Sequence, residues 1–418
     1  MPVLEIRVPG DKSIAHRGLI LGALAEGESL IDQVPTGQDV LATEACLRAL
    51  GIGIDRTDGR VRVRGAGLAA WQTAGAPLDC QNSGTTMRLL TGVLAGSRVS
   101  ASLTGDASLR RRPMARVVEP LRAMGARITS HDGMAPLRIE GTALTGRHHR
   151  LPIPSAQVKS ALLLAGLSAQ GPTSIEEPMP TRDHTERLLR AMGAPITADQ
   201  ARTGVEPLAA PLKPLRLTIP GDFSSAAFWL AAAAMRPGFS VRVVGVGLNP
   251  TRTAFLVMLE RMGAEVRVDH EPGPAVEPAG DVTVTGRTLR GLRVDAEGVA
   301  SAVDEIPILM VVATQAEGTT LLDGADELRV KESDRLRSMT EGLRRMGARV
   351  EELRDGVRII GPTPLRAATV DAAGDHRVAM ALAVAGLLAK SSIQIVGAAS
   401  ADVSYPGFFR QLELVAGD

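Results

Sequence analysis

The sequence predicts an α/β fold arranged as two similar domains, each built from three repeats. The chain has 418 residues, more than the roughly 250–300 residues at which a single hydrophobic core stops growing. A pattern typical of a helix end, Leu-x-x-(Met/Leu)-Gly, recurs five times at intervals of about 70 residues. Short strand-like runs, such as 61–63, 282–284 and 357–360, stand between helix-like segments. Six mixed units over this length give three repeats in each domain.

The glycines of the repeated pattern predict where five helices end, because a left-handed C-cap is a conformation that glycine adopts at low cost. A β-branched stretch follows most copies, as at 126–128 and 348–350, and predicts a strand after the cap. Segment 408–412 resembles a degenerate sixth helix. The five glycines are Gly51, Gly125, Gly193, Gly263 and Gly347.

Further helices are predicted between these copies, and two proline-rich segments interrupt the pattern. Residues 205–220 are interpreted as the approach to a crossover between domains, and 271–278 as a hairpin or loop within one unit. The predicted helices cover 13–26, 85–94, 157–167, 224–235 and 377–388.

Composition excludes several classes of protein. The formal net charge is +1 and only nine residues are aromatic, which argues against a nucleic-acid binder. Two cysteines without a Cys/His cluster indicate reduced thiols and neither a zinc site nor a disulfide framework. The N-terminus lacks a signal-like region, and no apolar run reaches the roughly 18 residues of a membrane span. With no Walker A or dinucleotide-binding loop, we expect a cytoplasmic protein without a metal, a cofactor, or a nucleic-acid or membrane partner.

Short polar clusters recur where helices are predicted to begin. Free backbone N–H groups and the positive end of the helix dipole suit phosphate or carboxylate there, and a nearby Lys or Arg adds charge-assisted hydrogen bonds. Each cluster alone also fits a helix cap, a turn or a solvated charged face. Together they favour convergent helix ends that line an anion-binding cleft. The clusters lie at 10–17, 82–88, 155–159, 181–184, 331–335 and 374–377.

The same segments resemble one family from end to end, the 5-enolpyruvylshikimate-3-phosphate synthases. The Lys-Glu-Ser-Asp-Arg and Gly-Asp-His-Arg segments, in this order and spacing, are the most specific. The matching segments are 9–17 (PGDKSIAHR), 81–90 (QNSGTTMRLL), 108–114 (SLRRRPM), 155–167 (SAQVKSALLLAGL), 181–193 (TRDHTERLLRAMG), 304–313 (DEIPILMVVA), 327–336 (ELRVKESDRL) and 374–383 (GDHRVAMALA).

The resemblance implies a fold and a division of the chain. Each domain is expected to contain three βαβαββ units around buried helices, an inside-out α/β barrel. One domain would comprise 1–11 and 220–418 and supply most phosphoenolpyruvate and catalytic residues. The other, 12–219, would supply most shikimate 3-phosphate residues, with the substrates in the cleft between them. The family's reaction moves the enolpyruvyl group of phosphoenolpyruvate to the 5-hydroxyl of shikimate 3-phosphate, releases phosphate, and serves aromatic amino-acid biosynthesis.

The resemblance also implies the site residues. Catalysis would use Asp304 as the base for the hydroxyl and Glu332 as the proton shuttle, with Lys12 and Lys331 as cationic partners. The residues implied for shikimate 3-phosphate are Lys12, Ser13, Arg17, Ser155, Ala156, Gln157, Thr181, Arg182, Asp304 and Lys331. Those implied for phosphoenolpyruvate are Lys12, Gly84, Arg112, Gln157, Arg335 and Arg377. To these we add Asn82 and Arg88 as support for the glycine loop, and His376 as a further supporting residue.

Two other functions remain open from the sequence. The sister enolpyruvyl transferase that acts on UDP-N-acetylglucosamine shares the repeat plan, but it usually carries a reactive Cys in a loop that this chain lacks. A non-catalytic polyanion-binding repeat protein would use the same helix ends, yet would gain nothing from Asp304 and Glu332. His376 fits either a general acid or a hydrogen-bonding residue at a helix start. A monomer is expected.

Overall fold

A computed structural model describes residues 3–199, 202–273, 275–389 and 392–416. The chain forms two compact units. The N-terminal unit is Gly10–Ile219, and the C-terminal unit joins Met1–Pro9 to Pro220–Asp418. The predicted domains were 12–219 and 1–11 with 220–418, which assigned residues 10 and 11 to the other unit.

The N-terminal unit contains three four-stranded sheets. Strand β1 (Leu4–Ile6) precedes this unit and belongs to the other one. The elements of the N-terminal unit are α1 (Lys12–Leu24), β2 (Glu26–Asp32), α2 (Gln38–Ala49), β3 (Gly53–Thr57), β4 (Arg60–Ala66), β5 (Leu78–Asp79), α3 (Gly84–Ala95), β6 (Ser100–Thr104), α4 (Ala107–Arg110), α5 (Ala115–Ala123), β7 (Arg127–His131), β8 (Met134–Glu140), β9 (His148–Arg150), α6 (Ala156–Gly166), β10 (Thr173–Glu176), α7 (His184–Ala191), β11 (Ile196–Ala198), β12 (Arg202–Val205) and β13 (Arg216–Thr218), with a 3-10 helix at Leu68–Ala70.

These sheets share one topology. Their strand orders are β13-β2-β4-β3, β5-β6-β8-β7 and β9-β10-β12-β11. In each sheet the first two strands run parallel and the remaining pairs run antiparallel. The second and third sheets follow βαβαββ in chain order, which confirms the predicted repeat. The first sheet instead takes its outer parallel strand from β13, at the far end of the unit.

The C-terminal unit repeats this plan with one shortened copy. Its remaining elements are α8 (Phe223–Ala234), β14 (Ser240–Gly247), α9 (Ala254–Met262), β15 (Glu265–His270), β16 (Ala279–Thr285), β17 (Arg293–Val294), α10 (Ala296–Ser301), α11 (Ile306–Ala313), β18 (Gly318–Leu322), α12 (Arg335–Arg345), β19 (Arg349–Glu352), β20 (Val357–Gly361), β21 (Thr369–Asp371), α13 (His376–Gly386), β22 (Gln394–Val396) and α14 (Phe408–Ala416), with 3-10 helices at Asp326–Val330 and Ala398–Val403. Its sheets have the orders β1-β14-β16-β15, β17-β18-β20-β19 and β21-β22. The N-terminal strand β1 pairs in parallel with β14.

Three buried helices form the centre of each unit, namely α1, α3 and α6 in one and α8, α11 and α13 in the other. Nearly every residue of these helices is buried, because apolar or small residues occupy most positions on every side of each helix. A Cβ at Gly92 on α3 would lie 2.2 Å from the carbonyl oxygen of Ala161 on α6. Only glycine therefore permits this close approach of the two helices.

The five predicted C-cap glycines all adopt positive φ angles, between 84° and 106°. The helices α2, α5, α7, α9 and α12 end one or two residues before them, and the strands β3, β7, β11, β15 and β19 follow. The predicted helix 13–26 was wrong at its end, because α1 stops at Leu24 and β2 begins at Glu26. Among the described residues, no helix is both long and apolar enough to cross a membrane.

Candidate functional site

The N-terminal ends of α1, α3 and α6 lie together within the N-terminal unit. Gln157, the second residue of α6, donates from Nε2 to Oγ1 of Thr85, the second residue of α3, at 2.9 Å. Arg17 on α1 donates from Nη2 to Oγ of Ser160 on α6 at 2.8 Å. Asp11, Ser83 and Ser155 cap these three helices by accepting a backbone N–H in the first turn. Three positive helix ends thus meet at one place.

Lys12 and Arg17, both on α1, have different surroundings. The Nζ atom of Lys12 lies 3.0 Å from Oδ2 of Asp39, and the Lys12 side chain is 20% exposed. The Arg17 side chain is buried, and it donates to Oγ of Ser13 at 2.8 Å and from Nε to Oγ1 of Thr185 at 2.7 Å. Lys12 is therefore accessible to a ligand, whereas Arg17 holds the hydroxyl groups of Ser13, Ser160 and Thr185 in place.

A second group surrounds Gly84, the first residue of α3. Arg88 donates from Nη1 to Oε1 of Gln157 at 2.6 Å, and Arg112 donates from Nη2 to Oδ1 of Asn82. A Cβ built on Gly84 would lie 2.7 Å from Nη1 of Arg88 and 3.4 Å from Nη1 of Arg112. The start of α3 is consequently flanked by two guanidinium groups, an arrangement suited to an anion.

His16 on α1 is fully buried and bonds through Nδ1 to Oγ1 of Thr43 at 2.7 Å. Burial is the main cause that lowers the pKa of His16 to about 4. The unfolded chain takes up a proton near pH 6.5 and the folded chain does not, so the free energy of unfolding falls as pH drops from about 6.5 to 4.

We expect His16 to account for about 3 kcal/mol of this loss, because each pKa unit corresponds to about 1.4 kcal/mol. Urea unfolding of wild-type protein and of His16→Asn, at neutral pH and near pH 4, measures the loss of free energy of unfolding on acidification. The variant is expected to lose less stability on acidification. An identical loss in both proteins would contradict the prediction.

The N-terminal ends of α8, α11 and α13 likewise lie together within the C-terminal unit. Ser224, the second residue of α8, donates from Oγ to Oε1 of Glu305, which directly precedes α11. Arg377, the second residue of α13, donates from Nη1 to the backbone oxygen of Asp304 at 3.2 Å. Asp375 caps α13 by accepting the backbone N–H of Arg377.

Arg335 is the centre of the charged group in this unit. Its buried guanidinium contacts Asp375 through Nε at 2.8 Å, Asp304 through Nη1 at 3.2 Å and Glu332 through Nη2 at 2.6 Å. Nε of Arg377 lies 3.4 Å from Oδ1 of Asp304. Burial acts to lower the pKa of Arg335, but the three carboxylates outweigh burial and raise it. Two guanidinium and three carboxylate groups thus form one interconnected cluster.

Lys331 follows the 3-10 helix Asp326–Val330, and its Nζ lies 3.2 Å from Oε1 of Glu327. His376 is the first residue of α13 and is buried. The structure therefore brings Asp304, Glu332, Arg335 and Arg377 into one cluster, and it places Lys331 in an ion pair of its own. Among the described residues, no group of three or more His, Cys, Asp or Glu side chains is arranged to hold a metal ion.

Several buried charged residues were absent from the predicted site. Asp375 touches Arg335, and Asp39 pairs with Lys12. Arg252 donates from Nη2 to Oγ of Ser224 at 2.7 Å, and it lies 3.8 Å from Oε1 of Glu305. A sequence signal for part of this set existed, because a Gly-Asp pair precedes α1, α8 and α13 and its Asp caps each helix. Asp39, Arg252 and Glu305 carry no comparable signal.

The fold and these clusters define a class of protein, a two-unit α/β enzyme in which buried helix ends carry cations beside carboxylates. The family model for EPSP synthase (3-phosphoshikimate 1-carboxyvinyltransferase) matches residues 4–412. The chain belongs to the EPSP synthase family, with its inside-out α/β fold.

Individual relatives agree with this assignment. The 3-phosphoshikimate 1-carboxyvinyltransferase of Synechococcus sp. (strain JA-3-3Ab) is 49% identical over 414 residues, which cover 98% of this chain and 93% of the relative. The protein of that name from Herpetosiphon aurantiacus is 48% identical, with 97% and 95% covered. A solved EPSP synthase from Acinetobacter baumannii superposes with a TM-score of 0.87 at 40% identity, covering 99% of this chain and 96% of that chain.

Proposed function

We propose that this chain transfers the enolpyruvyl group of phosphoenolpyruvate to the 5-hydroxyl of shikimate 3-phosphate and releases phosphate, as a step of aromatic amino-acid biosynthesis. The observation that carries the proposal is the contact of Asp304 with Arg335 and Arg377. A carboxylate beside two guanidinium groups supplies a proton acceptor where an anionic substrate is held. A cytoplasmic location and a monomeric state stay predictions.

The shikimate 3-phosphate set falls mainly in the N-terminal unit. Ser155, Ala156 and Gln157 form the start of α6, where backbone N–H groups favour a phosphate. Lys12 brings an accessible ammonium group, and Arg17 orients Ser13. The remaining members are Thr181 and Arg182 before α7, and Asp304 and Lys331 in the C-terminal unit.

The phosphoenolpyruvate set comes from both units rather than mainly from the C-terminal one. Four of its six members belong to Gly10–Ile219. Arg335 is engaged with three carboxylates, so Arg377 is the better candidate in the C-terminal unit for direct contact with the substrate. The members are Lys12, Gly84, Arg112 and Gln157 in one unit and Arg335 and Arg377 in the other, with Asn82, Arg88 and His376 in support.

The proposed chemistry is an addition followed by an elimination. Asp304 removes the proton of the 5-hydroxyl as its oxygen attacks C2 of phosphoenolpyruvate, and C3 gains a proton to become a methyl group. The tetrahedral intermediate then loses a methyl proton as the C2–O bond to phosphate breaks. Glu332 shuttles the proton to and from C3. Lys12 and Lys331 donate protons and stabilise the developing charge.

Phosphate release tests this function. Release is expected only when shikimate 3-phosphate and phosphoenolpyruvate are both present. Turnover with UDP-N-acetylglucosamine in place of shikimate 3-phosphate would identify the sister activity. Binding of both substrates without any turnover would favour the non-catalytic polyanion binder.

We expect Gly84→Ala to raise KM for phosphoenolpyruvate by roughly tenfold or more, with little change in thermal stability. The new Cβ would lie 2.7 Å from Nη1 of Arg88, and the flexible end of that side chain must move away. That movement disturbs its bond to Gln157. Steady-state kinetics measure the effect. Gly75→Ala is the matched control because a Cβ there meets nothing within 4 Å, and equal KM values for both variants would contradict the prediction.

A further inference from the structure

A buried lysine contacts the segment that leads into α7. The side chain of Lys159, on α6, is 4% exposed, and its Nζ lies 2.7 Å from Oε2 of Glu177 and 2.8 Å from Oε1 of Glu186. It also donates to the backbone oxygen of Thr181 at 3.3 Å. Three acceptors thus match the three protons of the ammonium group. Its charge is paired inside the protein.

Lys159 and Glu177 together fix Thr181 at two points. The hydroxyl of Thr181 donates to Oε1 of Glu177 at 2.6 Å, and its carbonyl accepts from Lys159. Thr181 is covalently bonded to Arg182, one of the candidate residues for shikimate 3-phosphate. Lys159 and Glu177 therefore fix the position of the Arg182 backbone relative to the start of α6.

The adjacent residues strengthen this connection. Ser160 and Thr185, which follow Lys159 and precede Glu186 in the chain, are joined by a hydrogen bond of 2.7 Å. Arg17 donates to both hydroxyl groups. Two neighbouring sets of polar contacts thus connect α1 with the starts of α6 and α7.

The choice of lysine agrees with this role. Only five of the 47 basic residues are lysines. A planar guanidinium could not direct three donors to the same convergent acceptors in the same space. Burial acts to lower the pKa of Lys159, but Glu186 and Glu177 outweigh it and raise the pKa, so the group stays charged.

We propose that Lys159, acting with Glu177, is a positioning residue that fixes the Thr181–Arg182 segment for the binding of shikimate 3-phosphate. It acts through that segment, with its own ammonium turned toward Glu177 and Glu186. The inference rests on the proposed function, because shikimate 3-phosphate is the ligand assigned to this segment.

Equilibrium binding of shikimate 3-phosphate tests the inference separately from turnover. Glu177→Gln keeps the size of the side chain and leaves Lys159 with Glu186 and the Thr181 carbonyl. We expect Kd and KM for shikimate 3-phosphate to rise roughly tenfold, with kcat within about twofold and KM for phosphoenolpyruvate unchanged. Lys159→Arg, which keeps the charge, is expected to change the same constants in the same direction.

Glu44→Gln is the matched control. Glu44 is a buried carboxylate of the same unit that pairs with Arg48 and Arg56, neither of which is a candidate substrate residue. We expect it to lower stability without changing Kd. Unchanged Kd in Glu177→Gln and Lys159→Arg would overturn the positioning role. Wild-type protein that binds shikimate 3-phosphate but releases no phosphate would overturn the proposed function instead, while the Kd comparison would still test Lys159.

Discussion

Asp304→Asn is expected to lower kcat by roughly 10²–10⁴-fold, the usual contribution of general acid–base catalysis, while shikimate 3-phosphate still binds. The amide keeps the size of the carboxylate and one oxygen for Arg335 and Arg377, but it cannot take the proton of the attacking hydroxyl. Phosphate release measures kcat, and calorimetric titration measures binding.

A second acid of the same unit controls for the loss of charge. Asp323 pairs with Arg293 on the surface, outside the Arg335 cluster. Asp323→Asn is expected to keep wild-type kcat. The role of Asp304 would be refuted if its variant, folded and able to bind shikimate 3-phosphate, turned over at a rate near that of wild-type protein.

Arg335→Met is expected to lower the free energy of unfolding by about 3–5 kcal/mol, the cost of removing one partner from a buried ion pair. Asp375 is fully buried and would lose the guanidinium at 2.8 Å, and Asp304 and Glu332 would lose the same partner. Turnover should also fall, since the cluster includes the proposed base. Urea unfolding followed by circular dichroism measures the stability change.

Two further variants separate the buried charge from other causes. Adding Asp375→Asn to Arg335→Met removes the unpaired charge and keeps an oxygen for the backbone N–H of Arg377, so part of the stability should return. Arg337→Met changes an exposed arginine of the same helix, which pairs with Glu341, and should leave stability unchanged. Equal losses in Arg335→Met and Arg337→Met would contradict the account.

Patterns of neighbouring residues were enough to predict the repeat and many helix ends. Glycines at the five predicted caps have positive φ because that conformation depends mainly on the local chain. The boundary at Leu24 was missed, since β2 starts at Glu26 through pairing with the distant strand β4. Pairing between strands depends on the whole unit rather than on the local sequence.

The candidate site was likewise only partly predictable from the sequence. The sequence supplied helix starts rich in Lys, Arg, Ser and Asp, and the resemblance supplied their roles. Neither the sequence nor the resemblance indicated that Arg335 would contact three carboxylates. Neither indicated that Arg17 would bond to Ser160 and Thr185, which are 143 and 168 residues away. Such partners meet only when apolar helices pack side by side.

The sequence by itself determined the α/β class, the repeated unit, the glycine caps and the types of residue at each helix start, because these depend on short-range sterics and hydrogen bonding. The tertiary structure decided which charges are paired and which are accessible: Lys12 remains partly exposed, whereas Lys159 and Arg335 are buried among carboxylates. The physical reason is that a buried charge is stable only beside a partner, and the packing of distant segments determines that partner.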